Sequence, residues 1–202
     1  MIHDERLDKQ IKFLIEADKI KNVFRRTYNV DLSRKENSAE HSWRLALLAL
    51  VLSEYSNKEI DKLRVMSMVI IHDLIEIDAG DTYLYDAEAN LSKAEREHKA
   101  AERIFGILPD DQRDTFRALW EEFEECKTDD ARFANALDRF DPVILHNAGE
   151  GRSWSENNIT RTQVMEIHNS PSLPGYETSQ VLHTVKMQLL EENIALGHIL
   201  DK

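Results

Sequence analysis

Apolar residues fall at helical intervals along almost the whole chain, and that periodicity leaves little room for a sheet. Leu7, Ile11, Leu14 and Ile15, then Ile20 and Val23, describe a first amphipathic helix. After a polar stretch from Arg25 to Asn37, either Asn37 or Ser38 can cap a helix from Ala39 to about Tyr55. Its segment Leu45-Ala-Leu-Leu-Ala-Leu-Val-Leu52 is apolar on all sides, which predicts a central, buried helix. Ser56-Asn-Lys-Glu59 has the form of a capping box and opens a helix to about Ile77. Residues 78–90 lose the period and read as a loop. Ser92-Lys-Ala-Glu95 caps the next helix, which Gly106 ends, and Pro109 begins another through Phe116, Trp120 and Phe123. Thr128 or Asp129 starts a long helix to about Gly149. Within it Pro142 cannot donate to the Asp138 carbonyl, so a bend or a water is expected there. An irregular stretch with Pro171, Pro174 and Gly175 precedes a last amphipathic helix through Val181, Val185, Leu189 and Ile194.

Breakers are scarce, with 6 glycines and 4 prolines in 202 residues, and no repeat, low-complexity linker or strand stands out. The expectation is one all-α domain over 1–202. One cysteine, Cys126, excludes an intramolecular disulfide framework and suits a reducing, cytoplasmic setting. With 26 basic and 38 acidic side chains the net charge is -12, which repels nucleic acid and anionic lipid. No apolar run reaches the roughly 18 residues of a membrane span, and the first residues lack a secretory pattern.

Most of the 8 histidines are poor candidates for metal ligands. His98, His168, His183 and His198 fall on or beside polar helical faces, and His146 packs near a helix end. The His3-Asp4 pair lies at a terminus expected to fray. His72-Asp73 differs because it ends the apolar run Val69-Ile-Ile71. Glu76 follows on the same side of the helix, and Asp81 lies just past Gly80, where the chain can fold back over that side. His41 opens the most hydrophobic helix, and Asp138 is flanked by apolar positions on the long one. Burying Asp73 and Asp138 together costs several kcal/mol per charge unless a cation joins them. Two imidazoles and two carboxylates suit one divalent ion of the Mn, Fe, Co, Ni or Zn type.

His41, His72-Asp73 and Asp138, at these intervals, resemble the HD-domain metal-dependent phosphohydrolases over roughly residues 7–148. Further pieces are Arg26, Arg34-Lys-Glu-Asn-Ser-Ala-Glu-His41, His72-Asp-Leu-Ile-Glu76, Gly80-Asp81 and Leu137-Asp138. Together they are similar to the bacterial 5'-deoxynucleotidase branch, which includes an HD-domain-containing-protein-2-like group. The resemblance implies a compact helical HD domain with a central metal site, held by His41, His72, Asp73 and Asp138. It implies Glu76 and Asp81 as catalytic acids and Arg26 as the phosphate-orienting arginine. Thr27 stands where some members have an aromatic residue; Thr27, Arg34, Asp81 and Thr82 complete the expected substrate contacts. Arg25 is expected to point elsewhere, and residues from about 150 to 202 form a helical extension without a motif.

The expected activity is hydrolysis of deoxyribonucleoside 5'-monophosphates by a homodimer. Other readings are an HD hydrolase of cyclic dinucleotides or guanosine polyphosphates, and a non-catalytic metal-binding helical scaffold. Against the first, only His98 lies between the His-Asp pair and Asp138, and Ile77 rather than an acid follows Glu76.

Overall fold

A computed structural model describes residues 4–86, 88, 91–169 and 177–201. The stretch carrying Pro171, Pro174 and Gly175, and His3, lie outside the described residues. Helix α1 (Glu5–Ala17) is capped by Asp4, whose carboxylate accepts the Arg6 and Leu7 amides. The chain then tightens into a 3₁₀ turn (Asp18–Asn22) instead of continuing as one helix to Val23.

The polar stretch after it forms a hairpin, which helical periodicity alone did not reveal. Strands β1 (Phe24–Tyr28) and β2 (Lys35–Asn37) pair antiparallel, with Phe24 opposite Asn37 and Tyr28 opposite Lys35. Four residues along β1 thus span two along β2, so the register carries a bulge. The twofold alternation of a strand turns Arg25 and Thr27 inward and leaves Phe24 and Arg26 exposed. Helix α2 (Ser38–Leu52) starts in a capping box, with the Asn37 side chain on the Glu40 amide and the Glu40 side chain on the Asn37 amide.

Helix α2 is buried on one face only. Leu45 and Ala49 are inside, whereas Trp43, Leu47, Leu50 and Val51 are exposed, Trp43 at 65%. The expectation of a fully buried helix fails because α3 (Lys62–Ile71) and α7 (Asp129–Ala148) cover a single side of it. Helix α3 also begins later than the Ser56 capping-box reading, because the Asp61 carboxylate takes the Leu63 and Arg64 amides and sets the start.

After α3 come a 3₁₀ turn (His72–Ile75) and a single helical turn, α4 (Glu76–Ala79). Helices α5 (Lys93–Phe105) and α6 (Asp110–Glu125) follow at the expected starts. The Ser92 hydroxyl, however, accepts the Arg96 guanidinium (2.6 Å) rather than a backbone amide. Thr128 caps α7, which continues across Pro142. The extension then adds α8 (Arg152–Glu156), α9 (Arg161–His168) and α10 (Gln180–Ala195). On α10 Leu182, Leu190 and Ile194 are buried while Val181 and Val185 stay exposed, so the inward stripe differs from the one the spacing suggested.

Three apolar clusters hold these elements. One joins α2, α3 and α7, and a second joins α1, the His72–Ile75 turn, α5 and α6. The third, with Trp154, Ile159, Val164 and Leu190, fixes the extension onto Val143 of α7. A cavity of about 200 Å³ is bounded by residues of β1, the 72–76 turn, the 81–85 loop, α5, α6, α7, α8 and α9.

Candidate metal centre and nucleotide cavity

Helix geometry positions each polar side chain at this centre. The 3₁₀ turn has about three residues per turn, which stacks Asp73 beneath Glu76. Gly80 then adopts φ +74°, a conformation open to glycine, and its turn brings Asp81 onto the cavity wall. His41 lies in the first turns of α2 and is completely buried. Asp138 projects from α7 between the two imidazoles, its Oδ1 2.9 Å from His41 Nε2 and 3.8 Å from His72 Nε2. Asp73 Oδ1 lies 3.0 Å from His72 Nε2. Ligand atoms of His41, His72 and Asp73 all lie within 4.8 Å of one another. The structure therefore brings together the four residues that the sequence selected from a span of about a hundred positions.

These donors suit a divalent cation. His72 Nδ1 lies 2.9 Å from the Val69 carbonyl and donates to it, which leaves Nε2 unprotonated in the neutral ring. That buried Nε2 has no hydrogen-bond partner of good geometry, an orphan that a metal would satisfy. His41 turns its Nδ1 toward a carboxylate without a hydrogen bond of good geometry: the atom lies 3.4 Å from Asp141 Oδ2, and Arg44 Nε donates to Asp141 Oδ1 (2.9 Å). Glu36, 1% exposed, adds a carboxylate 3.8 Å from the same Nδ1. Glu36, Asp73, Glu76, Asp81, Asp138 and Asp141 thus face two neighbouring guanidiniums, Arg25 and Arg44. The excess of carboxylate is large enough to require a cation or bound protons.

Without a cation, the imidazoles carry those protons. Burial and the Arg25 charge oppose protonation of His41, but Asp138, Asp141 and Asp73 outweigh them and raise its pKa to about 9. His72 moves well above its ordinary value: burial opposes the shift, and Asp73 and Asp138 drive it. Asp73 sits at about 2, burial being overcome by His72, Arg25 and His41. A metal needs both rings neutral, so loading at pH 7 releases about two protons per ion, and affinity climbs as pH rises toward 9. Metal titration in weak buffer checks this; affinity that is flat between pH 6 and 9 would contradict it.

Among the second set of acids, Glu76 is pushed up to about 8 by burial and by Asp73, while Ser38 Oγ donates to its Oε2 (2.7 Å). Burial also raises Asp81, against the pull of Arg25 at 3.8 Å. Burial raises Glu36 to about 7, against His41 and Arg25.

The arginines are arranged differently from the expectation. Arg25, which the sequence reading sent elsewhere, enters the centre: its Nη1 donates to Asp73 Oδ2 (3.0 Å) and its Nε lies 3.5 Å from Glu36 Oε1. Strand parity decides this, and a polar stretch with no predicted strand offers no parity. Arg26 is exposed but still borders the cavity, its guanidinium 5.8 Å from the Tyr83 ring centre, and it makes no ion pair among the described residues. Thr27 and Thr82 also line the cavity, and Thr82 accepts Arg96 Nη2 (2.8 Å). Arg34 does not reach the cavity. It pairs with Glu40 on the surface (2.8 Å) and steadies the α2 capping box.

His168 is not a surface residue: it is 6% exposed and lines the cavity, as does His146, whose ring packs 4.7 Å from that of Trp154. Trp154 and His168 come from the extension that carried no motif. The i+3 spacing of Asp138 and Asp141 was a usable signal for Asp141, and Glu36 stands inside the Arg34–His41 stretch; nothing in the sequence pointed to Trp154 or His168.

The HD-domain family model matches residues 17–179. The chain belongs to the HD-domain family. It is similar to the 5'-deoxynucleotidase HDDC2 of Danio rerio, 28% identical over 139 residues and 68% of each chain. The 5'-deoxynucleotidase HDDC2 of Homo sapiens is 29% identical over 56% of this chain and 54% of its own. Among solved structures, a protein of Magnetospirillum magnetotacticum described as a predicted metal-dependent phosphohydrolase superposes with a TM-score of 0.88. It is 41% identical, over 97% of this chain and 99% of that one. A Pyrococcus furiosus protein, TM-score 0.63 at 24% identity over 90% of this chain and 99% of its own, shares the fold. This HD-domain protein is a hydrolase, and its family implies a divalent metal.

Proposed function

We propose that this HD-domain hydrolase is a metal-dependent phosphomonoesterase that converts deoxyribonucleoside 5'-monophosphates to deoxyribonucleosides and phosphate. The observation that carries the reading is the unpartnered His72 Nε2 beside His41, Asp73 and Asp138, on a cavity that also holds Glu76, Asp81 and Arg26. His41, His72, Asp73 and Asp138 would hold one ion of the Mn, Co, Fe, Ni or Zn class. Such an ion lowers the pKa of a water and withdraws charge from a phosphoryl oxygen. Glu76, steadied by Ser38, orients the attacking water and takes its proton. Asp81, on the loop wall, contacts the sugar or returns a proton to the leaving oxygen. Arg26 pairs with no carboxylate among the described residues, so its fork is available to the phosphate. Tyr83, Tyr85 and Trp154 supply the apolar wall a base and sugar require.

The two arginines should separate in experiment. Arg26→Met loses a charge-assisted hydrogen bond of about 1.5–3 kcal/mol, so kcat/KM falls about 10- to 150-fold with the melting temperature unchanged. Arg25→Met strands Asp73 and Glu36, costs about 3–5 kcal/mol of stability and lowers the melting temperature. Equal thermal effects for the two variants would refute this division.

The function is tested by phosphate release over ribo- and deoxyribonucleoside 5'- and 3'-monophosphates, and by chromatography of the products from cyclic dinucleotides and guanosine polyphosphates, each with Mn, Co and Mg. Release confined to deoxy 5'-monophosphates is expected; a metal-loaded protein inert to all of them would refute it. Pairing of two copies and a cytoplasmic setting belong to the same reading. The exposed Trp43, Leu47, Leu50 and Val51 face supports pairing better than Val181 and Val185 do, and a monomer mass by light scattering would remove it. No helix among the described residues is long and apolar enough to cross a membrane.

A further inference from the structure

The chemistry above leaves a group of buried bases unused. Helix α9 contributes His168, 6% exposed, whose Nδ1 has no hydrogen-bond partner and which lines the cavity. Arg139 of α7 lines the same cavity, with its Nε buried and unpartnered and no ion pair to any described carboxylate. Lys186 of α10 is 4% exposed and likewise makes no ion pair among the described residues. No residue outside the described set is Asp or Glu, so no acidic side chain is missing from this balance.

The three groups sense one another. Burial first, then Lys186 and Arg139, hold the His168 pKa at about 3, and burial with Arg139 lowers Lys186 to about 8. At pH 7 most Lys186 therefore keeps its proton, and it repels the Arg139 guanidinium in a place without a counterion among the described residues. Natural proteins seldom bury such charges without a partner. The neutral His168 still offers one N–H donor. A guanidinium fork, an ammonium and an imidazole N–H are the donors that recognise a tetrahedral oxyanion.

We propose that the cavity carries a second, cationic subsite for a phosphate-class oxyanion, formed by Arg139 and His168 on its wall, with Lys186 behind them on α10, which packs against α7 and α9. Arg139 and His168 contact the anion from the cavity wall, and Lys186 adds its charge from behind. The oxyanion is either a second phosphate of the bound nucleotide, which deepens the phosphomonoesterase reading, or free inorganic phosphate. The subsite itself stands apart from hydrolysis, because anion binding is measured without turnover.

The test uses the full metal-loaded chain and calorimetric titration with inorganic phosphate, for the native protein, Lys186→Met and Arg139→Met. Methionine keeps the buried volume of the lysine stem and removes the charge. Lys186→Met should therefore melt no lower than the native protein while binding phosphate at least tenfold more weakly. Arg139→Met should show the same loss. Any phosphate held at the metal centre contributes equally to all three, so native-strength binding in both variants overturns the subsite. Steady-state assays with a deoxynucleoside 3',5'-bisphosphate against its 5'-monophosphate then locate the source. A lower KM for the bisphosphate, abolished in Lys186→Met, identifies a second phosphate on the substrate; no such preference, with the phosphate titration as expected, identifies the free ion. If every nucleotide is inert, the titration still decides the subsite, and only the phosphomonoesterase reading is lost.

Discussion

Asp138→Ala should empty the metal centre and lower phosphate release by at least about 10³-fold, the several kcal/mol that a cation contributes to a phosphoryl-transfer barrier. Its Oδ1 stands 2.9 Å from His41 Nε2 and 3.8 Å from His72 Nε2, so one atom faces both nitrogens that a metal would use. Removing it takes away a ligand and the anion that draws the two rings together. The fold should survive, because Ala134, Leu137 and Phe140 of α7 anchor in the apolar clusters independently of this side chain. Asp141→Asn provides the graded control. It loosens His41 through Nδ1 alone and should cost about 10- to 100-fold in metal affinity. Metal analysis of the purified variants, alongside turnover, checks both; an Asp138→Ala protein with full metal content and normal turnover would show that the four residues do not form the centre.

Glu76→Gln should leave metal content intact and lower kcat by about 10²–10⁴, the usual contribution of a positioned acid or base. The substitution is nearly isosteric, and the amide oxygen can still accept from Ser38 Oγ, so the geometry of the turn is kept. What is lost is a group that can gain and lose a proton. Burial and Asp73 raise that group to about 8, an environment that penalises its charge when no cation is present. Replacing it with a neutral amide relieves that penalty, so the metal-free variant should melt no lower than the native protein. KM should change little, because the attacking water and not the substrate is the partner of this side chain. Undiminished kcat in Glu76→Gln would remove Glu76 from the chemistry.

Local chemistry wrote much of this molecule into its residue order. The cap at Thr128, the start after Pro109, the stop at Gly106 and a cap at Asn37 or Ser38 each depend on residues within a turn or so of one another, so they were legible. The His72-Asp73 doublet with Glu76 was legible for the same reason, being polar groups set against an apolar run. Where a local signal had a stronger competitor nearby the reading slipped, as when Asp61 rather than Ser56 set the start of α3.

What the sequence determined by itself was a helical chain, its family, and the residue types that gather at one acidic centre. Tertiary structure decided the rest. Pairing with β2 gave β1 its parity and sent Arg25, rather than Arg26, among the carboxylates. Packing on one side alone left Trp43, Leu47, Leu50 and Val51 of α2 in solvent. The third apolar cluster carried Trp154 and His168 from a segment without motifs to the cavity wall. These outcomes depend on contacts between residues far apart along the chain, and such contacts leave no period in the sequence, because each is satisfied by a partner that local spacing does not name.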